Sequence, residues 1–180
     1  LERSDEAIET TTRLIDGGQW LLGEAYYWRA WNQLRLNNFQ LARADADRAR
    51  TLMSNSAVMV LSGVIEWRLG RLDSAEKDFE GALAIDLGEC EAAFDLGVVR
   101  DQLGKRVEAL AAFKQAGQCL DLSITLRREA IDKIRSGNGS DSLKARDAAR
   151  HERTLVDLVE RRREVTRVID AIEKAGPSFQ

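Results

Sequence analysis

SAVMVLSGVIEWRLGRLDSAEKDFEGALAIDLGE, residues 56–89, decides the fold. Its first half is apolar with a small residue, Gly63, midway. A Gly70-Arg71 step then reads as a short turn that ends a helix. A second helix follows with Ala75, Phe79 and Ala82 at steps of three and four, which puts them on one face. Small residues there let two backbones approach, and the bulky residue between them fills the gap.

The same pattern recurs on both sides without internal gaps, at residues 23–55 and 90–123. Ala30, Gly63 and Gly97 align in the first helix. Ala42, Ala75 and Ala109 align in the second, followed by Ala46, Phe79 and Phe113, then Ala49, Ala82 and Ala116. The turns align as Asn37-Asn38, Gly70-Arg71 and Gly104-Lys105. A period of about 34 residues with a helix–turn–helix unit is the mark of a stacked repeat array.

On Gly63, Leu69, Gly70, Leu72, Ala75, Phe79, Ala82 and Leu83, and on Leu96, Gly97, Gly104, Ala109, Phe113 and Ala116, the chain resembles the tetratricopeptide repeat family. The first copy keeps Tyr26, Ala30, Phe39, Ala42 and Ala49 but has Ala46 where an aromatic is usual. Ser54, Leu87 and Asp121 stand where the family's closing proline is usual. The resemblance implies an all-α, right-handed superhelical solenoid whose first helices line a concave face. Stepping along those helices, the candidate groove residues are Tyr27, Trp31 and Leu34, then Val60, Val64 and Trp67, then Phe94, Val98 and Asp101. Trp20, Tyr26 and Trp28 are expected to pack internally. Some family members clamp a C-terminal carboxylate with Lys and Asn; Tyr27, Trp31, Val60 and Val64 occupy those places here, so no such clamp is expected.

The flanks extend the array. Residues 1–22 read as the second helix of a preceding partial repeat, opened by Ser4 or Asp5 and closed by Gly17-Gly18. Within residues 124–180, residues 124–135 read as a further first helix acting as a degenerate cap. Ser136–Ser142 reads as a Gly/Ser loop, and 143–174 as one long helix of roughly 45–50 Å. Leu155, Leu158, Val165, Ile169 and Ile172 form its apolar stripe, interrupted by Arg162. Three roles are open to that helix: capping the array, dimerising, or lying in the groove.

Composition narrows the chemistry. One His and two Cys argue against zinc sites and His-rich clusters, and a net charge of −3 argues against nucleic-acid binding. No metal, cofactor or catalytic residue is expected, and the chain is read as no enzyme. Cys90 and Cys119 are expected as small buried apolar residues rather than a bridge, and His151 as a solvated surface residue. Asp45, Asp47, Glu76, Asp78 and Glu80 alternate with Arg and Lys as on a solvated helix face. No apolar run approaches the roughly 18 residues a membrane span needs. The first residues lack an initiator Met and a signal-peptide pattern, so the segment is expected to be part of a longer protein, cytoplasmic by default. The functional expectation is a protein–protein interaction scaffold that binds an apolar or amphipathic peptide. The alternatives are self-assembly as a homodimer through 143–174 and regulation in cis.

Overall fold

The computed structural model describes residues 2–18, 21–137 and 140–175. Trp20 and Pro177 lie outside them. The elements are α1 (Glu2–Asp16), α2 (Leu22–Arg35), α3 (Phe39–Leu52), α4 (Ser56–Arg68), α5 (Leu72–Ile85), α6 (Cys90–Gln102), α7 (Arg106–Ser136) and α8 (Asp141–Ala175). Each helix packs on the next, and α2, α4 and α6 also stand side by side as one row. The fold is an all-α solenoid of the expected type, with no strand among the described residues.

Identical turns build the three helix pairs. Asn37, Gly70 and Gly104 take positive φ of 61°, 75° and 77°. In each case the next residue's N–H reaches back to a carbonyl five residues earlier: Asn38 to Gln33, Arg71 to Glu66, Lys105 to Arg100, all at 2.9 Å. This is the Schellman stop, which satisfies carbonyls left open at a helix end and favours Gly or Asn at the left-handed position. Between pairs the chain is extended at Met53 and Asp86. Asn55 then caps α4 by accepting a hydrogen bond from Val58 N at 3.0 Å.

Volume complementarity makes the core. A Cβ on Gly63 would lie 2.8 Å from Phe79 Cε1, and one on Gly97 would lie 2.7 Å from Phe113. The aromatic ring of the second helix therefore rests on the bare backbone of the first. In the first pair both positions are alanine: Ala30 and Ala46 are fully buried, and Leu61 and Ile65 of α4 pack into the same cluster. The volume that Phe79 and Phe113 supply from within their own repeat is supplied there by the neighbour.

Four carboxylates, three of them expected on solvated faces, are buried between helices. Glu66, 2% exposed, is held by Arg43 of α3 and Arg71. Glu76 of α5 accepts from Arg100 Nε of α6 at 3.0 Å and from Lys105 Nζ at 2.5 Å. Asp45 takes a two-pronged grip from Arg29, both contacts at 2.7 Å, and Asp78 is bound by Arg50 at 2.8 Å. Of the five acids, Asp45, Glu76 and Asp78 depart from expectation, while Asp47 and Glu80 stay exposed. The within-helix spacing of charges hid this, because the partners lie 16 to 29 residues away.

The C-terminal third differs from the expectation in one respect. Residues 124–135 are not a separate helix: α7 runs unbroken through Asp121 to Ser136. The two earlier second helices stop before Ser54-Asn55 and at Asp86-Leu87-Gly88, where Asp86 Oδ1 accepts from Gly88 N. Leu-Asp-Leu-Ser at 120–123 contains no comparable stop, so the helix continues. Residues 138 and 139 of the expected loop lie outside the described residues. α8 returns antiparallel along α7. Arg106 donates to the Ile172 carbonyl, Arg162 to Asp121 at 2.9 and 3.1 Å, and Arg127 to His151 Nδ1 at 2.8 Å. His151 is therefore half-buried between helices, not a free surface residue. Arg162 interrupts the apolar stripe, and its guanidinium lies over Gly117 while it pairs with Asp121. Val165 is 2% exposed, and Leu158 and Ile169 pack on the core cluster of the last pair.

Cys90 and Cys119 form a disulfide, with Cα atoms 5.4 Å apart. This corrects the expectation of two free apolar thiols. The first residue of α6 and the fourth turn of α7 meet because the two helices are antiparallel around the 103–105 turn, a juxtaposition that a separation of 29 residues does not reveal. α1 also starts earlier than expected, at Glu2, which leaves Ser4 inside the helix.

Candidate interaction face

The row α2–α4–α6 carries all nine residues singled out from the sequence. Its members are joined laterally: Trp67 Nε1 donates to Gln102 Oε1 at 2.9 Å, and Ser56 Oγ to Glu89 at 2.7 Å. These contacts set α4 and α6 side by side in the same direction. Tyr27 and Leu34 are half-buried on the cluster around Ala30 and Leu61. Val60, Val64, Trp67 and Phe94 are half-buried on the second cluster, where Phe94 meets Phe113 edge-to-face at 5.3 Å between centroids. Val98 is also half-buried, while Asp101 is exposed. Trp31 is 40% exposed. Burial, helped by the charge of Glu89, raises the Tyr27 hydroxyl above its ordinary pKa.

Tyr26 is half-buried as expected of a packing residue, under the guanidinium of Arg29. Trp28 is not: it is 53% exposed, with its ring edge on Tyr27. The register explains the difference. Trp28 aligns with Leu61, which is buried because α2 and α3 precede it, whereas only α1 precedes α2 among the described residues.

A cleft of about 370 Å³ lies where α8 passes the start of α6. Phe94, Leu120 and Val165 form its apolar floor, and Glu91, Asp95, Arg161 and Glu164 its polar rim. Of these, only Phe94 was singled out as a groove residue. Arg161 pairs with Glu91 across the cleft. Burial pushes the Asp95 carboxyl up to about 6, with Arg68 opposing the shift. The rim depends on how α8 returns, so no spacing within one helix announces it.

Among the described residues, no group of three or more His, Cys, Asp or Glu is placed to hold a metal, and no helix is long and apolar enough to cross a membrane.

Residues 56–88 match the family model of the tetratricopeptide repeat. No curated protein matches the sequence. Among solved structures, the crystal structure of MamA is 14% identical with a TM-score of 0.62, covering 89% of this chain and 91% of that one. PcrH in complex with the chaperone binding region of PopD is 17% identical, TM-score 0.53, covering 77% and 91%. YrrB, described as a TPR protein with an unusual peptide-binding site, is 16% identical, TM-score 0.59, covering 87% and 78%. At these identities the likeness is one of fold: residues 56–88 match the tetratricopeptide repeat, and the chain is similar in fold to solved structures that include one described as a TPR protein.

Proposed function

We propose that this chain is a protein-interaction module that holds an apolar or amphipathic peptide segment of a partner against the α2–α4–α6 row. The observation that carries the reading is the run of half-exposed apolar side chains along that row, from Trp31 through Val64 and Trp67 to Val98. Contiguous apolar surface of this kind marks interaction sites, and aromatic side chains serve as their anchors. Val165, Leu158 and Ile169 of the α8 stripe pack on the core cluster, and α8 borders the row at Phe94. Two proteins of the same fold support the reading: PcrH was solved with the chaperone binding region of PopD, and YrrB is described by its peptide-binding site. No side-chain constellation on the row suggests catalysis. The Cys90–Cys119 bridge favours an oxidising compartment over the cytoplasmic default, since such bridges persist where thiols are not kept reduced.

The test uses peptides selected from a random displayed library against the intact chain. Trp31→Ala and Trp67→Ala are expected to weaken binding at least about 10-fold, in line with loss of an aromatic anchor, while far-UV circular dichroism stays unchanged. Unchanged affinity in both variants overturns the proposal.

A further inference from the structure

We propose that the cleft between α6 and α8 receives an apolar side chain of the bound peptide together with an adjacent lysine or arginine. The inference rests on the peptide-binding reading above and names the chemistry at one end of the row. Phe94 belongs both to the row and to the cleft floor, so a chain lying along α4 and α6 passes the cleft mouth. The volume, about 370 Å³, is at the small end of sites that enclose ligand groups and suits one side chain rather than a cofactor.

Charge selects the neighbour of that side chain. The rim holds three carboxylates and one guanidinium. Glu91 and Arg161 neutralise each other. Neither Asp95 nor Glu164 is in a hydrogen bond or ion pair among the described residues, and the charge of Arg68 on α4 acts on Asp95 without cancelling the effect of its burial, so an excess of negative charge faces the apolar floor. Asp95 is half-buried, and a carboxylate withdrawn from water gains most from a cation that enters with the ligand. The raised Asp95 pKa is a consequence of the same withdrawal, and a bound cation would lower it again.

The probes are random heptapeptides displayed on phage, selected against the intact chain at pH 7.5. Enriched sequences are expected to carry an apolar residue next to Lys or Arg. Synthetic versions with that cation replaced by Glu are expected to bind at least about 10-fold more weakly, the step a charge-assisted contact gives. In the chain carrying both Asp95→Asn and Glu164→Gln, discrimination should fall to within about threefold while the apolar requirement persists. Affinity of the cationic peptide should fall as the pH drops below 6 in the unaltered chain and stay flat in the double variant.

Enriched peptides without a cation preference, or a preference that survives in the double variant, overturn the cleft assignment. If such peptides still depend on Trp31 or Trp67, the interaction module stands and only the cleft fails. If no heptapeptide is enriched, both readings fail.

Discussion

The α3/α4 and α5/α6 junctions do the same job with opposite charges. Arg43 aligns with Glu76, and Glu66 with Arg100; the pair across the first junction is Arg–Glu, and across the second Glu–Arg. The auxiliary cation occupies one column in both, Arg71 and Lys105, each following the turn residue. In the second junction it changes sides, binding the α5 acid rather than an acid of its own repeat. The column therefore specifies a pair and not a residue type. One effect is positional: swapping the order of the two helix pairs would set Arg43 against Arg100. Buried ion pairs are weak evidence for stability but well suited to fixing register.

Large effects should come from breaking either pair. Glu66→Gln takes the buried carboxylate from Arg71 and from Arg43, which keeps Asp47, and Glu76→Gln takes it from Lys105 and from Arg100, which keeps Glu80. Removal of one member of a buried pair costs about 3–5 kcal/mol when the other charge is left buried and unpaired; with Asp47 and Glu80 still holding the guanidiniums, urea unfolding should show losses at or below the lower end, the larger for Glu66→Gln because Glu66 is the more deeply buried. Arg43→Glu with Glu66→Arg would copy the second junction into the first. Recovery of more than half the loss of the single variants is expected; no recovery would show that the two junctions differ in geometry and not only in sign. The second junction is pH-sensitive. Burial alone would raise the Glu76 carboxyl, but hydrogen bonds from Lys105 and Arg100 outweigh it and hold the carboxyl below its ordinary value. Its stabilisation is present above the unfolded-state pKa and is lost as pH falls through the folded one.

The α6/α7 pair is further braced by the disulfide, which has no counterpart on α4. Closing a loop of about 30 residues is worth roughly 3–4 kcal/mol in the chain-entropy account. Reduction of Cys90–Cys119 should therefore lower the denaturant midpoint without changing the helical signal at low denaturant. Cys90→Ser with Cys119→Ser should reproduce the shift. An unchanged midpoint would show that α6 and α7 are held by packing alone.

Packing separates the pairs in a different way. Gly63→Ala and Gly97→Ala would each push a methyl into a phenylalanine ring. Overpacking of this kind costs about 1–3 kcal/mol. In the first pair the equivalent position already holds Ala30, so Ala30→Gly should cost helix propensity and a small cavity only, about 1 kcal/mol. Combining Gly63→Ala with Phe79→Ala copies the first pair into the second; calorimetry should show it less stable than the first pair, because no Leu61-like residue is placed to fill the space.

These contrasts show what the sequence made legible. The Gly63–Phe79 and Gly97–Phe113 columns were readable because both partners recur in phase, and so were the turns at Asn37, Gly70 and Gly104. The charge columns recur too, but with their signs exchanged, so a search for like residues passes over them and within-helix spacing suggests solvent. The α7 continuation hid for the opposite reason: Ile124, Ala130 and Ile131 keep the apolar rhythm of a next repeat, while the stop that would separate it is absent. Of the interaction face, the row follows from the repeat register; the Asp95 cleft required the path of α8.

Asp95 gives a smaller effect of opposite sign to Glu76. Its carboxyl is raised to about 6 from 3.8 by burial, with the nearby Arg68 only partly offsetting the shift. A raised carboxyl stabilises the fold below the unfolded-state value of 3.8, and that contribution is lost as pH rises through 6. At pH 7.5 ionised Asp95 is a cost, so Asp95→Asn should stabilise the free protein by about 1–2 kcal/mol, a conservative reading of two pKa units. The gain should vanish near pH 4. Glu76→Gln should behave in reverse, with its penalty largest at neutral pH and smallest in acid, so stability curves from pH 4 to 8 would cross in sign between the two variants. A stabilising Asp95→Asn that also flattens the pH dependence of cationic-peptide binding ties the cost in the free protein to the ligand it selects. An unchanged or lower stability at pH 7.5 would show that Asp95 is already solvated, and the two regions would then differ in charge order alone.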